Sequence, residues 1–287
     1  MRIALIHDWV VSQRGGENVL DAFAEMFPQA HLFTLVFKNN QIAPNILKLK
    51  RTTSIIDRTD FTRDRYRHFL PLLPRIIESF DVSDYDVILS SSHCVAKGVK
   101  KNPKAIHFSY VHAPMRYMWD RFEDYFSQDK AGFLTRSAAL LARPWLQRWD
   151  VQSAHGVDYM MANSHFIADK IKEYYDITAK VIHPFCDDEY FGNEKNKRVL
   201  GKSYLIVSAL VPQKNIELAI DTFNDNQMPL MIAGDGPEKK RLMARAKQNI
   251  QFIGAMPRHS LLDLYLNCRA LVFPGVEDFG IVPVEAM

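Results

Sequence analysis

The fold of this 287-residue chain is set by the stretch Pro274-Gly-Val-Glu-Asp-Phe-Gly-Ile-Val-Pro-Val-Glu-Ala-Met287. An apolar run at residues 270–273 leads into it, and Glu277 and Glu285 stand eight positions apart within it. The pattern predicts a strand, a tight loop around a flexible glycine, and a helix that begins at Pro283, because proline fits the first helical turn.

This strand–loop–helix unit also suggests a binding site. Such a turn directs backbone N–H groups and a helix N-terminus into a crevice, where they favour hydroxyls and anions. Carboxylates such as Glu277 and Glu285 hold sugar hydroxyls by charge-assisted hydrogen bonds. The spacing alone is equally typical of a strand–helix connection that carries two solvated acids.

The rest of the chain continues the alternation of strands and helices, which predicts an α/β fold with parallel sheets and crossover helices. The predicted strands are 3–6, 32–37, 87–90, 106–111, 159–162, 181–182, 205–209, 230–233, 251–253 and 270–273. Helices are predicted after Gly16, after the cap Ser164, and at 216–223, 238–247 and 260–266. A partly helical insertion at 122–154 carries Pro144, which should kink it.

The length of the chain suits two domains. We expect an N-terminal Rossmann-like domain at 1–186, a polar linker at 187–198 and a second Rossmann-like domain at 199–287. The second domain stops inside a helix that has just begun, so we expect it to be truncated.

Composition predicts a cytosolic globular protein. The hydrophobic fraction is 47% and the charged fraction 24%, and no apolar run has the length of a bilayer span. The N-terminus lacks the pattern of a signal peptide. The three cysteines form no C-x-x-C pair, which argues for reduced thiols and against a zinc site.

The net charge of +3 is unevenly distributed. Residues 199–287 hold nine basic and nine acidic side chains, so the excess lies in the N-terminal part, largely within 48–75. Basic and aromatic residues that alternate there suit an anionic membrane or a lipid phosphate on the acceptor side: Arg63, Arg65, Arg67 and Phe69. A solvated helix with core-facing aromatics fits the same pattern. Nucleic acid is excluded as a partner because the patch is short and no recognition module is present.

Three further positions in the sequence are candidates for binding or catalysis. Arg14-Gly-Gly-Glu17 joins the first strand to the first helix, where Gly15 and Gly16 would let the backbone approach a phosphate. His112 ends a predicted strand, where open α/β sheets bind ligands. Lys214 begins a helix and could hold a leaving diphosphate. The same positions also fit purely structural roles. The glycines would then form a plain turn, His112 would be a packed histidine and Lys214 a solvated lysine.

The sequence resembles a known family along nearly its whole length. Residues 274–287 look like the E-x7-E signature of retaining glycosyltransferases of the GT-B fold, family 4 (glycosyl transferases group 1). Ser90-Ser-Ser-His93, Ala96-Lys-Gly98 and His112-Ala-Pro-Met-Arg-Tyr117 are similar to the mannosyltransferase branch of bacterial O-antigen and exopolysaccharide synthesis.

This resemblance implies a role for each candidate residue. It implies two facing Rossmann-like domains, with Glu277 and His112 as catalytic residues that face the transferred sugar. It implies donor contacts at the following positions: Gly15, Gly16, Lys214, Met256, Asp278, Phe279, Gly280, Ile281 and Glu285. Glu285 would hold the ribose, Met256 would lie near the base, and Lys214 would contact the diphosphate. Ala209 stands where relatives usually place an arginine.

The resemblance also implies a reaction. A hexose, mannose from GDP-mannose, would pass to a lipid-linked polysaccharide or oligosaccharide by front-face attack, without a metal or other cofactor. The enzyme would be cytoplasmic, peripheral on the inner face of the cytoplasmic membrane. UDP in place of GDP and another hexose in place of mannose remain alternatives. So do a sugar-nucleotide epimerase or phosphorylase on the same fold, and a truncated chain without activity.

Overall fold

The computed structural model describes residues 1–39, 41–127, 132–186 and 200–287. The chain forms two compact units, Met1–Pro184 and Phe185–Met287. The linker predicted at 187–198 lies outside the described residues.

The first unit contains a parallel sheet of seven described strands in the order β3-β2-β1-β4-β5-β6-β7. Its strands are β1 (Ile3–His7), β2 (His31–Thr34), β3 (Lys50–Thr53), β4 (Val87–Ser92), β5 (Ile106–Val111), β6 (Tyr159–Ala162) and β7 (Lys180–Val181). The strand order reverses direction between β1 and β4, which makes this pair the topological switch point of the sheet. The predicted α/β fold with parallel sheets is confirmed.

The central strand of this sheet explains why the apolar runs are continuous. All five residues of β1 are buried, and Leu5 lies between Leu32 of β2 and Leu89 of β4. A strand of a parallel sheet is covered on both faces, so it needs apolar residues at successive positions rather than at alternate ones.

Helices cover the faces of the sheet. The α-helices of this unit are α1 (Gly15–Met26), α2 (Pro44–Lys48), α3 (Asp60–Asp64), α4 (Leu73–Glu78), α5 (Phe122–Phe126), α6 (Phe133–His155) and α7 (His165–Tyr175). Short 3₁₀ segments occupy Ile55–Arg58, Tyr66–Leu72 and Ala96–Gly98. The predicted cap of α7 is confirmed, because the Ser164 hydroxyl accepts a hydrogen bond from the Ile167 N–H at 3.1 Å.

Some local predictions were wrong. Strand β3 was not predicted, because its sequence Lys-Arg-Thr-Thr is polar and gains strand structure only by pairing with β2. Helix α6 includes Pro144 within its 23 residues, and the predicted kink there stays a prediction. Helical spacing predicts core positions for Met26 in α1 and Phe166 in α7, but both side chains are exposed.

The second unit contains a parallel sheet of three described strands, β8 (Tyr204–Val207), β9 (Leu230–Ala233) and β10 (Ile250–Gly254), in the order β10-β9-β8. The predicted strand 270–273 pairs with β8 at a single bridge, Leu271 to Leu205. Its helices are α8 (Ile216–Asn226), α9 (Lys239–Arg245), α10 (Arg258–Asn267) and α11 (Ile281–Ala286). Helix α11 begins two residues before Pro283, directly after Gly280.

A buried polar cluster links α6, α7 and the loop after β4. Lys97 and Asp150 form a fully buried ion pair. The second carboxylate oxygen of Asp150 accepts hydrogen bonds from the Trp119 indole at 2.8 Å and from the Tyr175 hydroxyl at 2.7 Å. A buried carboxylate is tolerated when it is paired and hydrogen-bonded in this way.

We expect Asp150→Ala to lower the free energy of unfolding of the first unit by about 3–5 kcal/mol, because it leaves the Lys97 ammonium buried without its carboxylate. All four tryptophans of the chain lie in this unit, so their fluorescence during urea unfolding reports on it alone.

The matched control is Lys172→Ala, which removes an exposed ion pair to Asp176 in the same unit and should cost less than about 1 kcal/mol. Equal losses in the two variants would contradict a stabilising role for the buried pair.

Candidate functional site

In the first unit, polar side chains gather where β1, β4 and β5 end. The Ser91 hydroxyl lies 3.1 Å from His7 Nδ1 and 2.8 Å from His112 Nε2. Because these strands flank the switch point, the three residues occupy the edge at which open parallel sheets bind ligands. His112, a predicted site residue, therefore contacts Ser91 at that edge, and Ser91 contacts His7 in turn.

The start of α1 faces the same histidines. A Cβ atom on Gly16 would lie 3.7 Å from His112 Nε2 and 3.8 Å from His7 Cε1, whereas one on Gly15 would have no neighbour within 4 Å. A larger side chain at Gly16 would meet these rings. The two predicted glycines thus differ, since one lies against the histidines and the other faces open space.

Both histidines are neutral. Burial lowers the pKa of His7 to about 3, and burial lowers the pKa of His112 well below its ordinary value. A hydroxyl donates one hydrogen bond and accepts others, so Ser91 can bind both neutral rings only if one of them donates to it. The Nε2 atom of His7 is buried and has no hydrogen-bond partner within the described residues.

Asp8 fixes the loop that follows β4. Its fully buried carboxylate accepts four backbone N–H groups at 2.6–2.9 Å, from the consecutive residues His93, Cys94, Val95 and Ala96. The His93 ring lies 3.3 Å from the same carboxylate, and burial lowers the pKa of His93. This role of Asp8 could not be predicted from the sequence, because the residues that it binds are about 85 positions away.

Glu17 lies in the first turn of α1 and is almost fully buried. Burial raises the pKa of its carboxyl group to about 7, while hydrogen bonds to backbone N–H groups and the charge of Arg14 act in the opposite direction. Burial therefore shifts the pKa of Glu17, as it shifts the pKa values of His7 and His112.

In the second unit, the loops after the strands are joined by backbone hydrogen bonds. The loop after β8 binds the loop after β9 through Leu210 N–H to Asp235 O at 3.0 Å, and Gly234 N–H donates to Gly254 O at 2.7 Å. A Cβ atom on Gly275 would lie 3.1 Å from Lys214 Cα, so the loop that carries Glu277 lies against the loop that carries Lys214. The carboxyl ends of the strands thus form one continuous rim.

Two predicted site residues meet at this rim. The Lys214 ammonium and the Glu277 carboxylate form an ion pair in which both side chains remain partly accessible. Lys214 ends the 3₁₀ segment Pro212–Lys214, and α8 begins two residues later at Ile216. A cation, a carboxylate and a helix N-terminus are thereby held close to one another.

The other predicted donor residues lie on or beside α11. Glu285 accepts a hydrogen bond from the Tyr265 hydroxyl at 3.0 Å. Met256 packs against the apolar cluster that contains Tyr265 and parts of α11. Gly280 has φ +84°, a left-handed conformation that favours glycine. Three predicted residues beside it are half-buried: Asp278, Phe279 and Ile281.

The predicted membrane and acceptor segment is largely engaged within the first unit. Arg63 forms ion pairs of 2.7 Å with Asp57 and with Asp60. Arg65 lies over the Phe61 ring at 4.1 Å, and Arg67 Nε donates to the Tyr66 hydroxyl at 3.1 Å. Phe69 packs against the core. A role for this segment at a membrane stays a prediction.

Searches for two other features gave no candidate in the described part of the chain. No helix there has both the length and the apolar character to cross a membrane. Nor do the His, Cys, Asp and Glu residues there form a group of three or more arranged to hold a metal ion.

Comparison with known proteins finds a family similarity in the second unit. Residues 189–287 match the family described as Glycosyl transferases group 1. The chain is 28% identical to O-antigen chain mannosyltransferase C of Escherichia coli over 45% of its own length. It is likewise 28% identical to an uncharacterized glycosyltransferase, MJ1178, of Methanocaldococcus jannaschii over 45% of its length.

These curated matches are partial for the relatives as well. They cover 39% of the first relative's length and 37% of the second's. The crystal structure of Anabaena Alr3699/HepE in complex with UDP superposes with a TM-score of 0.65, over 100% of this chain and 78% of that one, at 15% identity. The fold is thus that of GT-B glycosyltransferases.

Glu17 should make the stability of the first unit depend on pH. The folded state keeps the carboxyl proton up to about pH 7, whereas the unfolded state loses it near 4.5. The unfolded state therefore binds fewer protons across this interval, so stability falls as pH rises through it.

We expect the stability of the wild type relative to Glu17→Gln to decrease by about 3 kcal/mol between pH 4.5 and a pH above 7, as followed by urea unfolding. The comparison cancels the contributions of His7 and His107, whose lowered pKa values are the same in both proteins. A difference that is constant with pH would show that Glu17 titrates normally.

Proposed function

We propose that this chain is the catalytic part of a retaining glycosyltransferase that takes a hexose from a nucleotide sugar. The observation that carries the proposal is the contact between Lys214 and Glu277 at the rim of the unit that matches Glycosyl transferases group 1. The two residues combine a cation for a leaving diphosphate with a carboxylate for sugar hydroxyls.

The chemistry follows from these groups. As the bond between sugar and diphosphate breaks, negative charge develops on the phosphate, and Lys214 and the N-terminus of α8 stabilise it. Glu277 binds hydroxyls of the transferred sugar, and Glu285, held by Tyr265, binds the ribose. In the proposed front-face mechanism the departing phosphate oxygen takes the proton of the acceptor hydroxyl, so the residues present need only bind and orient.

In the first unit, the residues that we propose for substrate binding are His112 and the turn at Gly15 and Gly16. Because its pKa is depressed, the His112 ring is a neutral hydrogen-bonding group at neutral pH. A neutral ring suits a sugar hydroxyl, because it can donate or accept a hydrogen bond without adding a charge. Ser91 orients this ring through its hydrogen bond to Nε2.

We further propose GDP-mannose as the donor, a lipid-linked glycan as the acceptor, and membership of family 4. Support comes from the motifs shared with mannosyltransferases and from the similarity to O-antigen chain mannosyltransferase C. The solved structure in complex with UDP supports a nucleotide-sugar donor and keeps the uridine donor as the competing choice. We propose action without a metal, on the cytoplasmic face of the membrane.

Calorimetric titration with GDP, GDP-mannose, UDP and UDP-glucose, without added metal, tests the proposed donor. We expect guanine-selective binding that falls at least about tenfold in Glu285→Ala, since a charged hydrogen bond to the ribose is lost. The control is Asp225→Ala, which removes an exposed carboxylate from the same unit, in the last turn of α8. Uridine-selective binding would contradict GDP-mannose, and absence of binding would contradict a donor site in this chain.

The ion pair between Lys214 and Glu277 gives a sharper prediction. In Glu277→Gln the ammonium no longer has this carboxylate, so affinity for the nucleoside diphosphate should be retained or rise a few-fold. The extra affinity contributed by the sugar should fall at the same time, because a charge-assisted hydrogen bond to its hydroxyls is lost. The ratio of the two dissociation constants, measured by the same titrations, reports this directly. An unchanged ratio would show that Glu277 does not contribute to binding of the sugar.

A further inference from the structure

The outer face of α6 exposes an unusual amount of apolar surface. Phe133, Leu134 and Leu141 are 83%, 82% and 84% exposed, and Leu140 and Trp145 are more than 40% exposed. Single exposed leucines are common on protein surfaces, but a contiguous group of large apolar side chains marks an interaction site.

These residues form a stripe along the helix. Leu134, Ala138, Leu141 and Trp145 follow one another at spacings of four, three and four residues, which places them on one line of an α-helix. The stripe is about 17 Å long at 1.5 Å per residue. Phe133 and Leu140 lie beside it and widen the apolar face.

The opposite face of α6 is fixed to the unit. Leu146 is buried, and the Trp149 indole donates to Glu78 at 2.7 Å. Arg143 Nε donates to the Met118 carbonyl at 2.8 Å, and Asp150 is held in the buried cluster. The helix cannot turn its apolar stripe inward without breaking these contacts, so the stripe stays on the outer side of α6 within this unit.

The charges of α6 match an anionic surface. The helix carries Arg136, Arg143 and Arg148, and its one carboxylate, Asp150, is buried with Lys97. Arg136 is paired with Glu123. Arg148 is exposed and continues the line of the stripe, three residues after Trp145. An apolar face with tryptophan and with arginine at its border is the composition of a helix that lies in a membrane interface.

We propose that the outer face of α6 docks this chain onto an anionic lipid bilayer, with its leucines, Phe133 and Trp145 in the interfacial layer and Arg148 at the phosphate groups. This inference goes beyond sugar transfer and does not rest on it. It assigns the membrane contact to α6 rather than to residues 61–75, where Arg63 is neutralised by two aspartates and Phe69 packs inward.

A second copy of the chain is the competing occupant, because stripes with this spacing also pair with other helices. Arg148 argues against that choice. Its guanidinium would enter the seam of a helix pair and lose water there, whereas at a bilayer it reaches the head groups.

The test is flotation of the chain with vesicles of phosphatidylglycerol and phosphatidylcholine in equal parts, and with vesicles of phosphatidylcholine alone. We expect binding to the anionic vesicles, weakened at least about tenfold in Leu134→Gln/Leu141→Gln because two large apolar side chains no longer enter the lipid. Vesicles should also shift the tryptophan emission to the blue in the wild type, and this shift should be lost in Trp145→Phe.

The control is Leu218→Gln/Met243→Gln, which removes two exposed apolar side chains (55% and 49% exposed) from the second unit and should bind like the wild type. A second comparison is Arg63→Glu/Arg65→Glu/Arg67→Glu, which should retain most binding. Loss of binding in this variant, with retention in Leu134→Gln/Leu141→Gln, would move the membrane contact to residues 61–75 and overturn the proposal.

Two further results would also overturn it: absence of vesicle binding by the wild type, or a dimer in sedimentation velocity that the Leu134→Gln/Leu141→Gln variant dissociates. Nucleotide-sugar titration of the same variants keeps the two proposals separate. Donor binding should be unchanged in them, so failure at the membrane would leave the glycosyltransferase assignment intact.

Discussion

The buried carboxylate of Asp8 holds the chain after β4 in place. A buried charge is costly unless hydrogen bonds compensate it, and four consecutive N–H groups do so here. Binding them shapes the chain after β4 into a turn, and that turn delivers Lys97 to Asp150. The same strand ends carry His7 and Ser91. One carboxylate therefore positions both the polar edge of the sheet and the cluster that attaches α6 and α7 to it.

In the second unit, contacts between loops rather than a buried carboxylate fix the arrangement. Its rim depends on backbone contacts between loops, with Gly275 set against Lys214 and Gly234 bonded to Gly254. Lys214 and Glu277 are far apart in sequence, yet each lies just after a segment that pairs with its neighbour, so the parallel sheet brings them together. In the proposed function a diphosphate would compete with Glu277 for the lysine, and this competition would couple nucleotide binding to the position of the carboxylate that we assign to the sugar.

The sequence predicted what depends on local pattern. The bounds of β5, β6 and β9 follow from apolar runs, and the cap at Ser164 follows from the residue types at a helix start. Strand β3 could not be predicted, because pairing rather than propensity forms it. The contact of Tyr265 with Glu285 and the four bonds of Asp8 were missed for a related reason. These hydrogen bonds join residues that come together only when the sheet has formed, and no residue spacing in the sequence predicts them.

The backbone-built rim of the second unit has a consequence for how this protein can diversify. Loops that are bound to one another through main-chain N–H and carbonyl groups keep their shape when side chains change. If the rim binds a nucleotide sugar as we propose, substitutions that change the choice of base or sugar should therefore accumulate at its side chains, such as Met256 and Phe279, and spare its glycines. A combinatorial library restricted to those side-chain positions would explore new donors without disturbing the scaffold that presents them.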